Sequence, residues 1–263
     1  MGIELRELDL DQSAVSDGVR PKPARWKKVA VLGGIAVFVL SLFLFFSPLL
    51  GLVKHNFVFL PKLGPKETVL VEREGQMVVD TIYATVPPFS FIDQFGRPFT
   101  DKHVEGKILV VDFFFTRCTT ICPKMSVQMQ QLQLKLNDEA FDDVVFLSHT
   151  VDPEHDTPEV LNAYARKLEA DTARWKFLTG SKADIYLQGS EGYYLAAKED
   201  VMAEGGFLHS EKFVLVDKDR YIRGYYDGTT AEGMNALAAD LKMLLKEERI
   251  KAAEAEKARR RND

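Results

Sequence analysis

The chain has 263 residues, two cysteines and a formal net charge of -5, from 34 Lys and Arg against 39 Asp and Glu. Beyond an apolar leader there is length for one ordinary domain. A single cysteine pair is too few for a disulfide-stapled miniature. An acidic balance without a basic stripe interleaved with aromatics gives no footprint for nucleic acid. No Gly-rich phosphate loop, two-His helical metal motif or Gly-x-Ser-x-Gly elbow occurs.

Residues 1–28 are polar and mixed in charge, whereas Val29 to Val53 carries no charged side chain. About 20 apolar residues cross a bilayer, so residues 29–53 read as a single transmembrane anchor with room to tilt. Lys22, Arg25, Lys27 and Lys28 crowd the amino-terminal flank, against Lys54, His55 and Lys62 on the other. The positive-inside bias then keeps the short tail cytoplasmic and sends the rest across. A cleaved signal peptide is the rival, but the run is long for a signal core and Ser47-Pro48-Leu49-Leu50-Gly51 is a poor cleavage site. No cysteine follows the run to take a lipid, and Glu4, Glu7, Asp9, Asp11 and Asp17 make a poor mitochondrial transit peptide. The expectation is a bacterial inner-membrane protein with its amino terminus cytoplasmic and its domain periplasmic.

Residues 54–66, with Pro61, Gly64 and Pro65, read as a linker to a domain over 67–247, and 248–263 as a charged, frayed tail. Within the domain, Thr68 to Val71 and Met77 to Val86 read as short strands around Glu74-Gly75. Phe89 to Arg97 alternates apolar and polar up to a glycine turn, a hairpin signal. Ile108 to Phe115 is apolar almost throughout, as in a central strand covered on both faces. A helix follows from Cys122-Pro123, with Met125, Met129, Leu132 and Leu136 at helical spacing, so both methionines read as core. Asp143 to Val151 is a strand, and Thr157-Pro158-Glu159 caps a helix carrying Val160, Leu161, Tyr164 and Leu168. Phe177 to Gly180 closes a short strand, and Lys182 to Gln188 is a helix. Phe213 to Asp217 and Tyr221 to Tyr226 pair as a hairpin around Lys218-Asp219-Arg220, and Ala231 to Glu247 is an amphipathic closing helix. Strands alternating with helices, then a hairpin and a helix, predict an α/β mixed sheet flanked by helices, the thioredoxin-like arrangement.

The chemistry concentrates in Arg117-Cys118-Thr119-Thr120-Ile121-Cys122-Pro123, where the central strand gives way to a helix. Two thiols four residues apart are expected on one face of the first helical turn, beside unpaired N–H groups that favour thiolate. Thiolates are nucleophiles and soft metal ligands. A plain disulfide is the bland alternative, but a loop so short constrains the unfolded chain by only ~2 kcal/mol.

Several segments resemble the Sco/SenC copper chaperones of cytochrome oxidase assembly. They are Phe91 to Gly96, Phe113 to Pro123, Val151 to Glu159, Leu178-Thr179-Gly180 and His209 to Asp217, together spanning residues 80–245 in the family's order. The resemblance implies one copper ion bound by the two motif cysteines and a downstream histidine, which fall on Cys118, Cys122 and His209. It also implies a thioredoxin-like fold and delivery of copper to the CuA site in the copper-bearing subunit of cytochrome c oxidase. Other copper chaperones or thiol reductants are the further partners expected. Two features depart: Thr119-Thr120 replaces the commoner Pro-Asp, and Tyr193 to Gly206 has no clear counterpart.

Two thiolates and an imidazole suit monovalent copper, whereas zinc usually wants a fourth ligand. His209 stands just before the strand Phe213 to Asp217, where thioredoxin-like oxidoreductases carry a cis-proline at the position of Ser210, and Gly205-Gly206 give its loop freedom. His55, His103, His149 and His155 have no companion at metal-ligand spacing and read as structural or solvated. Asp152 and Asp156 read as turn and capping residues with room for a supporting role beside the metal loop. The expectation is a metallochaperone rather than an enzyme. The alternative is a periplasmic thiol-disulfide reductase with Cys118 attacking and Cys122 resolving, and a weaker third is a peroxide-reducing or redox-signalling protein of the same fold.

Overall fold

The computed structural model describes residues 25–46, 59–73, 75–136, 141–195 and 210–262. The chain divides between Val58 and Phe59. In the first unit, α1 (Arg25–Phe46) is a 22-residue helix. No helix among the described residues is long and apolar enough to cross a membrane. The end of the span expected over 29–53 lies outside those residues, as does His55.

The second unit is built on a seven-stranded mixed sheet ordered β4-β3-β7-β6-β5-β8-β9. At its centre, β5 (Ile108–Phe114) and β6 (Val144–Thr150) are parallel and buried at every position. Such strands need apolar side chains on both faces, which is why the sequence shows a run here and not an alternation. Parallel β7 (Trp175–Thr179) extends one side, and antiparallel β3 (Ser90–Asp93) and β4 (Pro98–Thr100) close that edge. On the other side lie antiparallel β8 (Lys212–Val216) and β9 (Ile222–Asp227).

Alternation along β5 and β6 sorts their side chains between two layers. Asp112, Phe114, Phe146 and Ser148 face one way, toward α2 (Cys122–Lys135) and α3 (Pro158–Lys167). There Phe114 stacks on Tyr164, whose hydroxyl meets Ser126 of α2 at 2.8 Å. Met125 and Met129 are buried beneath α2, as their spacing predicts; each such side chain contributes ~2 kcal/mol of apolar burial. Phe113 and His149 face the other way, among Phe89, Phe91 and Tyr193. That layer is closed by α4 (Lys182–Leu187), which runs on into a π turn at Gln188–Gly192.

The last helix, α5 (Ala231–Asn262), lies against β9 and α2. It continues to Asn262, where the sequence suggested a frayed tail. The extension is rich in helix formers and carries i,i+3 and i,i+4 ion pairs, Lys251 with Glu247 and Glu248 and Arg260 with Glu256.

Near its base α5 meets a buried charge cluster. Arg223 is bonded to Asp217 at 2.8 Å and to Glu247 at 2.7 Å, all three at most 5% exposed. The same guanidinium donates to the carbonyls of Leu60 and Pro61. Leu63 bridges to Ile222, and the Lys62 ammonium lies 3.4 Å from the centre of the Tyr221 ring. Residues 60–63, within the stretch read as a linker, are therefore fixed on the domain.

Between that clamp and the sheet, β1 (Lys66–Arg73) and β2 (Gln76–Tyr83) form a separate two-stranded hairpin, its turn carried by Gly75 at φ +78°. β1 is longer than the sequence suggested and β2 stops earlier, at Tyr83; both are mostly exposed, with Leu70 opposite Val79 on one face.

Candidate metal centre

β5 delivers the chain to the motif. Beyond Phe115 the backbone turns, Cys118 N–H bonding back to the Phe115 carbonyl, and α2 starts at Cys122. Only Cys122 is therefore helical. Cys118 precedes the helix, and its sulfur accepts the Cys122 backbone N–H at 3.4 Å, taking one of the donors a helix start leaves unpaired. The Thr120 hydroxyl lies 3.7 Å from the same sulfur, which gives Thr120 a role beside the thiol. Both cysteines are free and largely buried.

The two thiols are electrostatically unequal. Burial works against a Cys118 thiolate, but hydrogen bonds from the side chain and backbone of Cys122, and from Thr120, outweigh it and hold its pKa below the ordinary thiol value. Burial pushes Cys122 strongly up, aided by the hydrogen bond it donates to Cys118 and by the negative charges of Cys118 and Asp112. Cys118 is thus the sulfur that ionises first.

Asp156 fixes the approach to Cys118. Its fully buried carboxylate accepts the Thr116 backbone N–H at 3.0 Å and the hydroxyls of Thr116 and Thr150, each at 2.5 Å, and meets His155 Nδ1 at 2.8 Å. Asp152 is paired with Arg117, the residue before Cys118. Oxygens and nitrogen of Asp152, His155 and Asp156 lie within 4.8 Å of one another, a spacing a metal ion would accept. The carboxylates are already committed to Thr116, Thr150 and Arg117, so the group reads as a brace under the motif. Thr157 caps α3, and its hydroxyl accepts the Val160 N–H.

Below the motif lies Asp112, the one charged residue of β5. Its carboxyl accepts from Ser148 at 2.5 Å, and Ser148 in turn accepts from Trp175 Nε1 at 2.9 Å. Burial outweighs the Ser148 bond and pushes the pKa up to about 7. On the opposite layer His149 is completely buried, and burial drives its pKa down to about 3. Neither of its ring nitrogens has a partner among the described residues.

The structure brings Cys118 and Cys122 together, with Cys118 ahead of the helix instead of in its first turn; Met125, Met129 and His149 are buried in the core, His103 packs on Phe99, and His155 meets Asp156. His209 and Gly205-Gly206 lie outside the described residues. The sequence did not single out Asp112 or foresee the grip of Asp156 on Thr116. A lone carboxylate in an apolar strand was the available signal for the first, and the second joins loops 40 residues apart.

A mixed sheet with a parallel centre, a cysteine pair where a central strand enters a helix, and a shielded acid beneath it define a thioredoxin-like thiol protein. The chain belongs to the SCO1/SenC family, whose model matches residues 80–246. It is 32% identical to the SCO1 protein homolog of Bacillus subtilis over 169 residues, 64% of this chain and 86% of that one. Its fold is similar to that of BsSco, described as a member of the Sco family of cytochrome c oxidase assembly proteins in which a disulfide switch was identified. The TM-score is 0.54 and the identity 31%, over 61% of this chain and 93% of BsSco. It is also similar to Bradyrhizobium japonicum ScoI with copper bound, with a TM-score of 0.50 and 27% identity, over 61% of this chain and 99% of ScoI.

Proposed function

We propose that this protein is a membrane-tethered copper carrier that holds one copper ion through Cys118, Cys122 and His209 and passes it to the copper-bearing CuA subunit of cytochrome c oxidase. Copper is the cargo. The observation that carries the reading is the pair of free thiols around the start of α2, one of them predisposed to thiolate, in a family that includes a copper-bound member. Two sulfurs offered together are a soft donor set, suited to monovalent copper and poor for magnesium or calcium. An imidazole from His209 completes the expected set. Both thiols must be reduced to bind, so copper loading follows the redox state of the compartment and relies on thiol reductants or on other copper chaperones upstream.

The apolar run over 29–53 supplies the tether, with the amino terminus cytoplasmic and the domain in the periplasm of a bacterium. Confinement to the oxidase's membrane raises the effective concentration of the two proteins, so transfer need not rest on a large interface. Resistance of the full chain to alkaline extraction from membranes checks the tether independently of copper.

The test of the carrier is titration of the reduced full chain with monovalent copper, comparing the native protein with Cys118→Ser, Cys122→Ser and His209→Ala. All three variants are expected to lose tight stoichiometric binding. Retention of native affinity in His209→Ala removes the histidine from the site, and weak binding throughout sinks the carrier. The second reading, a thiol-disulfide reductase acting on partner cysteines, draws support from the unequal thiols, a low-pKa attacker at Cys118 and a shielded resolver at Cys122. It predicts disulfide exchange that survives His209→Ala and stops in Cys118→Ser.

A further inference from the structure

Three features of the second unit converge on one end of its sheet, the β8–β9 turn at Lys218-Asp219-Arg220. The chain from the amino-terminal side is fixed there, by Leu63 on Ile222 and by Arg223 on the carbonyls of Leu60 and Pro61. The β1–β2 hairpin springs from the same place, its base closed by the Ala84 N–H on the Pro65 carbonyl and followed by the Val86 N–H on the Arg220 carbonyl. α5 arrives there too, because its contacts run antiparallel along β9: Gly233 on the Asp227 backbone, Asp240 on the Tyr226 hydroxyl, Glu247 on Arg223, and Lys251 3.9 Å from Asp219. The helix then overruns the sheet, and the stretch from Lys251 to Asn262 projects about 16 Å beyond it. The cysteine motif lies at the opposite end. Val216 of β8 stands beside Leu109, so the turn adjoins the start of β5, while Cys118 follows its finish, about 20 Å along the strand.

The two projections carry the chemistry of one kind of surface. On the hairpin, Leu70, Met77 and Val79 share one face and Ile82 lies on the other, each more than half exposed. Apolar side chains left in water on both faces of a lone hairpin ask for an apolar neighbour. On α5, Arg249, Lys257, Arg260 and Arg261 fall with Ala253 on one face at helical spacing, all of them exposed. Glu256, which pairs with Arg260, stands at the edge of that face, and an exposed pair of this kind is worth little. The third feature is reach. Seven residues of chain, about 25 Å at full stretch, separate the fixed Leu60 from Val53, where the apolar run ends.

We propose that this end of the domain is a docking surface for the bilayer itself, with the hairpin's apolar side chains entering the headgroup layer and the basic face of α5 meeting the phosphates of anionic phospholipid. A rigid acidic protein would match the arm but could cover only one face of the hairpin, whereas a fluid lipid layer takes apolar side chains on both. Docked in this way, the domain stands with Cys118 and Cys122 turned away from the lipid, toward a partner that rises from the same membrane. The proposal rests on the reading of residues 29–53 as an anchor, and it shares no residue with the cysteine motif.

The experiment places the full chain, at one or two copies per disc, in nanodiscs of phosphatidylcholine alone or with phosphatidylglycerol, and follows hydrogen exchange. Exchange in residues 66–83 and 252–262 is expected to be ~10-fold slower on the anionic discs than in detergent, and high salt is expected to remove the protection of the arm. Lys257→Glu/Arg260→Glu/Arg261→Glu is expected to lose protection of the arm. Leu70→Thr/Val79→Thr, which keeps the strand preference, is expected to lose that of the hairpin, with exchange in the large sheet unchanged in both variants. Equal exchange on anionic discs and in detergent overturns the proposal, as does protection that survives the triple variant. Protection that needs two copies per disc gives the surface to a second copy of this chain and overturns it as well. The anchor is read separately, by retention on neutral discs through a high-salt wash. A chain that washes off refutes the anchor, and the docking surface is then decided by the same exchange measurement on anionic vesicles.

Discussion

Cys118 and Cys122 are four positions apart and have opposite proton affinities, a contrast set by what each sulfur touches. Cys118 receives hydrogen bonds, whereas Cys122 is buried deeper and donates one. Brief alkylation of the reduced chain near pH 7, read by mass spectrometry, is expected to label Cys118 alone. Its rate is expected to rise with pH to a plateau whose midpoint lies below the ordinary thiol value of about 8.5. A second prediction concerns Asp156, which grips Thr116 two residues ahead of Cys118. Asp156→Ala removes the acceptor from three donors at once and is expected to cost ~3 kcal/mol in urea unfolding and, on the carrier reading, ~10-fold in copper affinity. The cysteines were legible in the sequence because they are the only two and sit where a strand meets a helix. Of the brace, a supporting role for Asp152 and Asp156 was legible but their partners were not, because Thr116, Thr150 and Asp156 meet only after two strands have paired in register.

At the scale of elements, the sequence was most informative where one periodicity rules a segment. The run from Ile108, the helical spacing after Cys122 and the Thr157-Pro158 start all became the expected elements, because local preference and burial point the same way there. It was least informative where an element's fate depends on something distant. The fold's hold on residues 60–63 comes from Arg223, about 160 residues downstream. The continuation of α5 depends on side-chain pairs along a polar surface that hydropathy does not register. Arg223→Ala strands Asp217 and Glu247 as buried, unpaired acids, and is expected to cost ~3–5 kcal/mol. Exchange protection at residues 60–63 is expected to vanish with it, a local signature that general destabilisation does not give.

Across the whole molecule, two buried groups on opposite layers of one sheet act against each other as pH changes. Asp112 keeps its proton up to about pH 7, whereas an unfolded aspartate has lost its own by about pH 4, so the native state binds the extra proton and this group's contribution falls as pH rises through that window. His149 stays neutral down to about pH 3, whereas an unfolded histidine is charged below about pH 6.5, so its contribution falls as pH drops. From pH 4 to 6.5 the two slopes cancel. Single substitutions expose them: His149→Leu is expected to lose stability as pH rises, and Asp112→Asn as it falls, each by about 1.4 kcal/mol per pH unit in denaturant titrations. Equal pH profiles in the two variants exclude the compensation.

The grip of Arg223 on the carbonyls of Leu60 and Pro61 also decides how force enters the body. A pull from the amino-terminal side does not peel the hairpin first, because it is met upstream at Ile222, Arg223 and, through Glu247, the final helix. A machine that unfolds proteins by drawing on that end has to break a buried ion cluster before it reaches the strands that carry the sulfurs. The chemistry at Cys118 and Cys122 is sheltered from tugging at that end.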